Sequence, residues 1–155
     1  MNINWKKLIA NLALPLGVGG LSALLSGGMA SYSQLNQPPL SPPGWLFPVV
    51  WTVLYLLMGY AAYLVQVSGK EPEQIRKALL PYWLQLAANF VWPLIFFRGE
   101  LYLTALLWLG LLWVLIFLTI RSFSKISERA GDLLIPYILW VTFAFYLNLG
   151  VYLLN

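Results

Sequence analysis

A chain of 155 residues that is 61% hydrophobic and only 9% charged lies far from the composition of soluble domains, where about a quarter of residues carry charge. It reads as an integral membrane protein. Cysteine and histidine are both absent, which excludes disulfides, thiolate chemistry and the usual ligands of zinc and haem iron, so no metal site is expected. The net charge of +4 is explained by the placement of basic residues along a membrane topology rather than by an anionic partner.

A spanning helix needs roughly 20 apolar residues, and five such segments fit, at about residues 6–27, 44–67, 78–97, 101–120 and 133–154. They form one transmembrane domain over residues 1–155. The first apolar run, 8–25, is too long for a signal-peptide core and lacks a small-residue cleavage site, so it reads as the first span. In it Ala10, Ala13, Gly17 and Gly20 recur at three- and four-residue spacing. That face permits close helix contact, within the chain or in a homodimer. Pro15 is expected to bend this helix without breaking it, and Gly27 and Gly28 to end it.

The connection 28–43 carries no charge, and Pro38, Pro39, Pro42 and Pro43 fix its φ angles and remove donors. A stiff loop of this length is unusual unless it covers something; it reads as a lid. The second span starts at Gly44 with Pro48 in its first turn, where a missing N–H costs nothing, and sets Trp51 and Tyr55 on one face. A solvated loop follows with Lys70, Glu71, Glu73, Arg76 and Lys77. A short hairpin at Arg98 and Gly99 separates the third and fourth spans, and a charged connection over 121–132 leads to the fifth.

On this layout Lys6, Lys7, Lys70, Arg76, Lys77, Arg121, Lys125 and Arg129 share one side and only Arg98 lies on the other. The positive-inside rule then places the N-terminus in the cytoplasm, and the C-terminus and lid outside. The expected fold is an all-α, polytopic bundle of five transmembrane helices.

Amide side chains in hydrocarbon need a partner or a cavity. Tyr82, Gln85, Asn89, Trp92 and Phe96 recur at helical spacing on the third span, and Tyr137, Trp140, Ala144 and Asn148 on the fifth. Both stripes should look inward. Trp5, Trp45, Trp83 and Trp113 read as packing or interface anchors, whereas Trp51, Trp92 and Trp140 read as cavity walls. An uncharged, aromatic cavity suits a flat, hydrophobic, polycyclic molecule. Hydrolysis is not expected, because Ser or Thr has no base beside it.

Three stretches, Pro39 to Thr52 (PLSPPGWLFPVVWT), Asn89 to Phe97 (NFVWPLIFF) and Pro136 to Asn148 (PYILWVTFAFYLN), together resemble the TspO/MBR family, the tryptophan-rich sensory and translocator proteins once called peripheral-type benzodiazepine receptors. The resemblance spans all five helices, and the short termini look like those of a bacterial member in the cytoplasmic membrane. It implies a five-helix bundle, commonly a homodimer, that binds porphyrins and isoquinoline-carboxamide or benzodiazepine-type ligands without a required cofactor. Trp51 and Trp140 match the family's pocket tryptophans, Asn89 its pocket amide and Ala144 the small residue beside the ligand, with Tyr32 and Pro42 closing the pocket from the loop. Tyr55, Gln85, Phe90, Trp92, Trp108 and Phe143 complete the candidate ligand-binding set.

The resemblance therefore implies a membrane receptor or sensor. Some relatives are described as degrading porphyrin with light and oxygen, which would make Trp51 and Trp140 the reacting pair. Transport of small molecules is the third reading, with no inverted repeat or intramembrane ionisable residue to support it. The C-terminal cholesterol motif of animal relatives ends in a basic residue. Here Tyr152 is followed only by Leu153, Leu154 and Asn155, so the basic member of that motif is missing and sterol binding is left open.

Overall fold

The computed structural model describes residues 2–27 and 32–155. Five of its helical segments are long and apolar enough to cross a membrane, and no strand occurs among the described residues. The helices are α1 (Trp5–Leu25), α2 (Leu46–Gln66), α3 (Pro72–Pro93), α4 (Tyr102–Ile126), the short α5 (Glu128–Asp132) and α6 (Ile135–Leu154).

Local chemistry sets the helix ends. Asn4 caps α1 by accepting from the Lys7 N–H. Pro72 opens α3 at its first position, with Glu71 and Gln74 forming a reciprocal capping box. That cap starts α3 in the polar sequence, ahead of the apolar run at 78. After Pro93 the backbone widens into a π turn over Leu94–Arg98, closed by the Gly99 N–H on the Leu94 carbonyl at 2.9 Å. The stretch 121–132, expected as a charged connection, is instead mostly helical: α4 runs on to Ile126, and Ser127 caps α5 through the Ala130 N–H. The Ser122 hydroxyl donates to the Ala78 carbonyl, which holds that extension against α3.

α1 approaches α2 through glycines other than those the spacing singled out. A Cβ on Gly59 would lie 2.3 Å from the Asn11 carbonyl oxygen, and one on Gly19 would lie within the Tyr55 ring. Ala10, Ala13, Gly17 and Gly20 are all exposed. Ala10, Ala13 and Gly17 therefore turn away from the bundle, and α1 meets α2 where the missing Cβ atoms are Gly19 and Gly59. Next to this contact the side-chain amides of Asn11 and Gln66 pair reciprocally at 2.9 and 3.0 Å.

α3 packs mainly on α4, α1 on α2 and α6 on α4. The core between them holds Leu54, Met58, Leu109, Ile116, Phe123 and Val141, all nearly inaccessible. Outside, Leu24, Leu107 and Leu153 are 81%, 69% and 70% exposed. So much apolar surface is untenable in water but is what hydrocarbon requires. The lengths, apolar exteriors and polar ends of these helices define an integral membrane bundle.

Candidate ligand cavity

A cavity of about 290 Å³ lies inside the bundle, toward the end that carries the loop 32–45. α2 contributes Phe47, Trp51 and Tyr55 to its wall; α3 and the π turn contribute Asn89, Trp92, Phe96 and Phe97. Leu109 and Leu112 come from α4, and Ala144, Leu147, Asn148 and Val151 from α6. No charged residue lines it, and no cluster of three metal-ligating side chains occurs among the described residues.

Its floor is a chain of hydrogen bonds across three helices. The Tyr55 hydroxyl donates to Asn89 Oδ1 at 3.1 Å, Asn89 Nδ2 donates to the Tyr137 hydroxyl at 2.6 Å, and that hydroxyl donates to Gln85 Oε1 at 2.6 Å. Nearer the lid, Trp92 Nε1 donates to Asn148 Oδ1 at 3.1 Å and Asn148 Nδ2 donates to the Tyr102 carbonyl at 2.9 Å. A carboxamide nitrogen carries two N–H groups, and these bonds use one from each asparagine. The second N–H of Asn89 and of Asn148 has no partner among the described residues.

The lid is built by its own side chains. Tyr32 is buried, donates to the Pro42 carbonyl at 3.0 Å and sets its ring edge-on to Phe47 at 5.0 Å. Burial pushes its phenol above the ordinary value, with the Ser41 hydroxyl pulling the other way, so it stays a neutral donor. Gln37 donates to the Tyr32 carbonyl at 2.7 Å, and the Tyr146 hydroxyl donates to the Pro39 carbonyl at 2.6 Å. Pro38 fills the space that a side chain on Gly150 would take, and Asn36 and Asn155 bond reciprocally. The loop is thus fastened to α6. Of the loop expected to cover the pocket, residues 28–31 lie outside the described residues.

Six of the twelve candidate residues meet in this cavity: Tyr32, Trp51, Tyr55, Asn89, Trp92 and Ala144. Pro42 stands behind Tyr32 as its acceptor, and Gln85 lies one hydrogen bond below the floor. The Phe90 carbonyl accepts from Ser22 at 2.6 Å, tying α1 to α3, and Trp108 braces α4 to α3 by donating to the Ala88 carbonyl at 2.9 Å. Trp140 and Phe143 line a separate groove between α2 and α6. Trp140 is one ring removed from the cavity, behind Phe47 at 5.8 Å. Its place on the flank of the α6 stripe, beside the buried Val141, accounts for this. Phe47, Phe97 and the α1 residues Leu16, Gly19, Gly20 and Ala23 were not anticipated. Phe97 ends the motif from Asn89, and Phe47 stands between the lid prolines and Trp51, so for these two the signal was present.

The fold and cavity define a polytopic helical membrane protein with an uncharged, aromatic internal site. The family model described as "TspO/MBR family" matches residues 11–154, and the chain belongs to that family. It is 36% identical to the "Tryptophan-rich protein TspO" of Chlorobaculum tepidum, over 96% of this chain and 94% of that protein. Identity to the "Tryptophan-rich sensory protein" of Cereibacter sphaeroides is also 36%, over 100% and 95%. The "Translocator protein" of Ovis aries is 34% identical over 86% and 80%.

Proposed function

We propose that this protein is a membrane receptor or sensor whose cavity binds flat, apolar polycyclic molecules: porphyrins, and isoquinoline-carboxamide or benzodiazepine-type compounds. The observation that carries this reading is the combination of stacked aromatic walls, no charge and a spare N–H on each of Asn89 and Asn148. Aromatic faces select flat ring systems, and an amide N–H in an apolar cavity selects a carbonyl-type acceptor by the cost of leaving either unpaired. Its volume of about 290 Å³ falls at the low end of drug-sized sites. A two- or three-ring compound fits within it, whereas a tetrapyrrole would rest with one edge outside. The sensory name of one relative agrees with this reading, and the clustering of eight basic residues at the end opposite the lid favours a lid facing outward from a cytoplasmic membrane. Photo-oxidative breakdown of a bound porphyrin would rest on Trp51 alone, since Trp140 is screened by Phe47.

Ala144 provides the test. It is 8% exposed in the α6 wall, and Phe in its place would project into the cavity and take up part of it. Ala144→Phe is expected to weaken binding of a free-base porphyrin and of an isoquinoline carboxamide by on the order of tenfold or more, read by quenching of tryptophan fluorescence. Unchanged affinity in a folded variant would exclude the cavity as the site.

A further inference from the structure

The lid is fastened, yet among the described residues the cavity is not closed on all sides. Gly20 and Ala23 on α1 and Pro48 and Thr52 on α2 line it and are also exposed. Gly20 stands nine residues after the buried Asn11, which is two and a half helical turns and the opposite face; its exposure is therefore outward. Among the described residues nothing lies within 4 Å of where its Cβ would be.

The attachments of α1 explain the gap. Toward the end opposite the lid, α1 is clamped to α2 by Gly59, the Asn11–Gln66 pair and Gly19 against Tyr55. Beyond Gly19 its fastenings run elsewhere: the Ser22 hydroxyl to the Phe90 carbonyl at 2.6 Å, and the Arg98 guanidinium to the Leu25 carbonyl at 3.0 Å. In that half α1 is held to α3, and the seam with α2 is left with small or short residues. The Thr52 hydroxyl is spent on the Pro48 carbonyl at 2.7 Å, so the rim asks for no polar partner. Leu21, Leu24, Val49 and Val53 flank it, all exposed, which places it in the hydrocarbon belt.

We propose that this window between α1 and α2 is the entrance to the cavity, used by flat apolar molecules dissolved in the bilayer. Ligand crosses the seam sideways from the lipid, and the hydrogen-bonded lid stays shut. The inference rests on the ligand reading above, and its test separates the two.

The full chain in lipid nanodiscs is mixed with a free-base porphyrin, and association and dissociation are followed by stopped-flow fluorescence. Gly20→Leu fits the open space and favours helix. A blocked entrance slows both directions, so the association and dissociation rates should each fall, association on the order of tenfold. Tyr146→Phe, which removes one of the lid's fastenings to α6, should leave both rates unchanged. The entrance is overturned if Gly20→Leu leaves both rates unaltered, if it only speeds dissociation because leucine takes up ligand space, or if Tyr146→Phe accelerates both. Wild-type protein that binds no porphyrin would overturn the ligand reading itself, and the entrance with it.

Discussion

Tyr137→Phe is expected to lower the stability of the folded bundle by about 2 kcal/mol, seen as a fall in the thermal unfolding midpoint followed by circular dichroism in detergent. Tyr137 is 1% exposed, and its hydroxyl both accepts from Asn89 on α3 and donates to Gln85 on the same helix. An interhelical hydrogen bond in a membrane is worth only about 0.6 kcal/mol on average. Two effects raise the cost here. The missing oxygen leaves two buried amide groups short of a partner, each worth about 1–3 kcal/mol, and a phenylalanine ring keeps water from replacing it. Asn89 would also lose the bond that fixes its amide beneath the cavity, so ligand affinity should fall in parallel. An unchanged midpoint would show that the chain from Tyr55 to Gln85 contributes nothing to stability.

Trp51→Ala should weaken porphyrin binding by about 2–3 kcal/mol, or roughly 30- to 150-fold. Its ring forms the wall, 5.5 Å from Tyr55 and 6.1 Å from Tyr137, and its loss removes a stacking face while widening the cavity. Trp51→Phe keeps a smaller face and should cost only about fivefold. Trp140→Phe should change affinity by less than about twofold, because Phe47, which packs on that ring, lines the cavity and Trp140 does not. Equilibrium titration of the three variants distinguishes the two tryptophans. If Trp140→Phe proved as damaging as Trp51→Phe, the screening by Phe47 would be refuted.

That contrast also shows how far the sequence could be read. Five spans, an all-helical bundle and a concentration of charge at one end were legible because hydrocarbon imposes length and composition on every helix. Tyr82, Gln85, Asn89 and Phe96 were legible as one buried stripe, since their spacing alone puts them on one face. Trp140 was not separable from Ala144 and Asn148 in this way. Spacing gives the face of a helix, but which side chain reaches a cavity depends on the neighbour in front of it, and Phe47 comes from a distant part of the chain. The small residues of α1 illustrate the same limit. Their periodicity indicates a surface without bulk, while the close contact with α2 is decided by Gly19 and Gly59, whose significance appears only when Tyr55 and the Asn11 carbonyl lie against them. The extension of α4 past residue 120 was hidden by its charges, which sit on turns anchored through Ser122 and capped by Ser127.

On the proposed function, the uncharged aromatic cavity between the helices holds one flat polycyclic ligand. Titration of the wild-type protein in lipid nanodiscs with a free-base porphyrin, followed by tryptophan quenching and then by competition with an isoquinoline carboxamide, measures it directly. A saturable curve with one site per chain and full recovery of fluorescence on competition is the expected result. A linear response matching that of a protein spanning the same nanodiscs without such a cavity, with no recovery on competition, would contradict it.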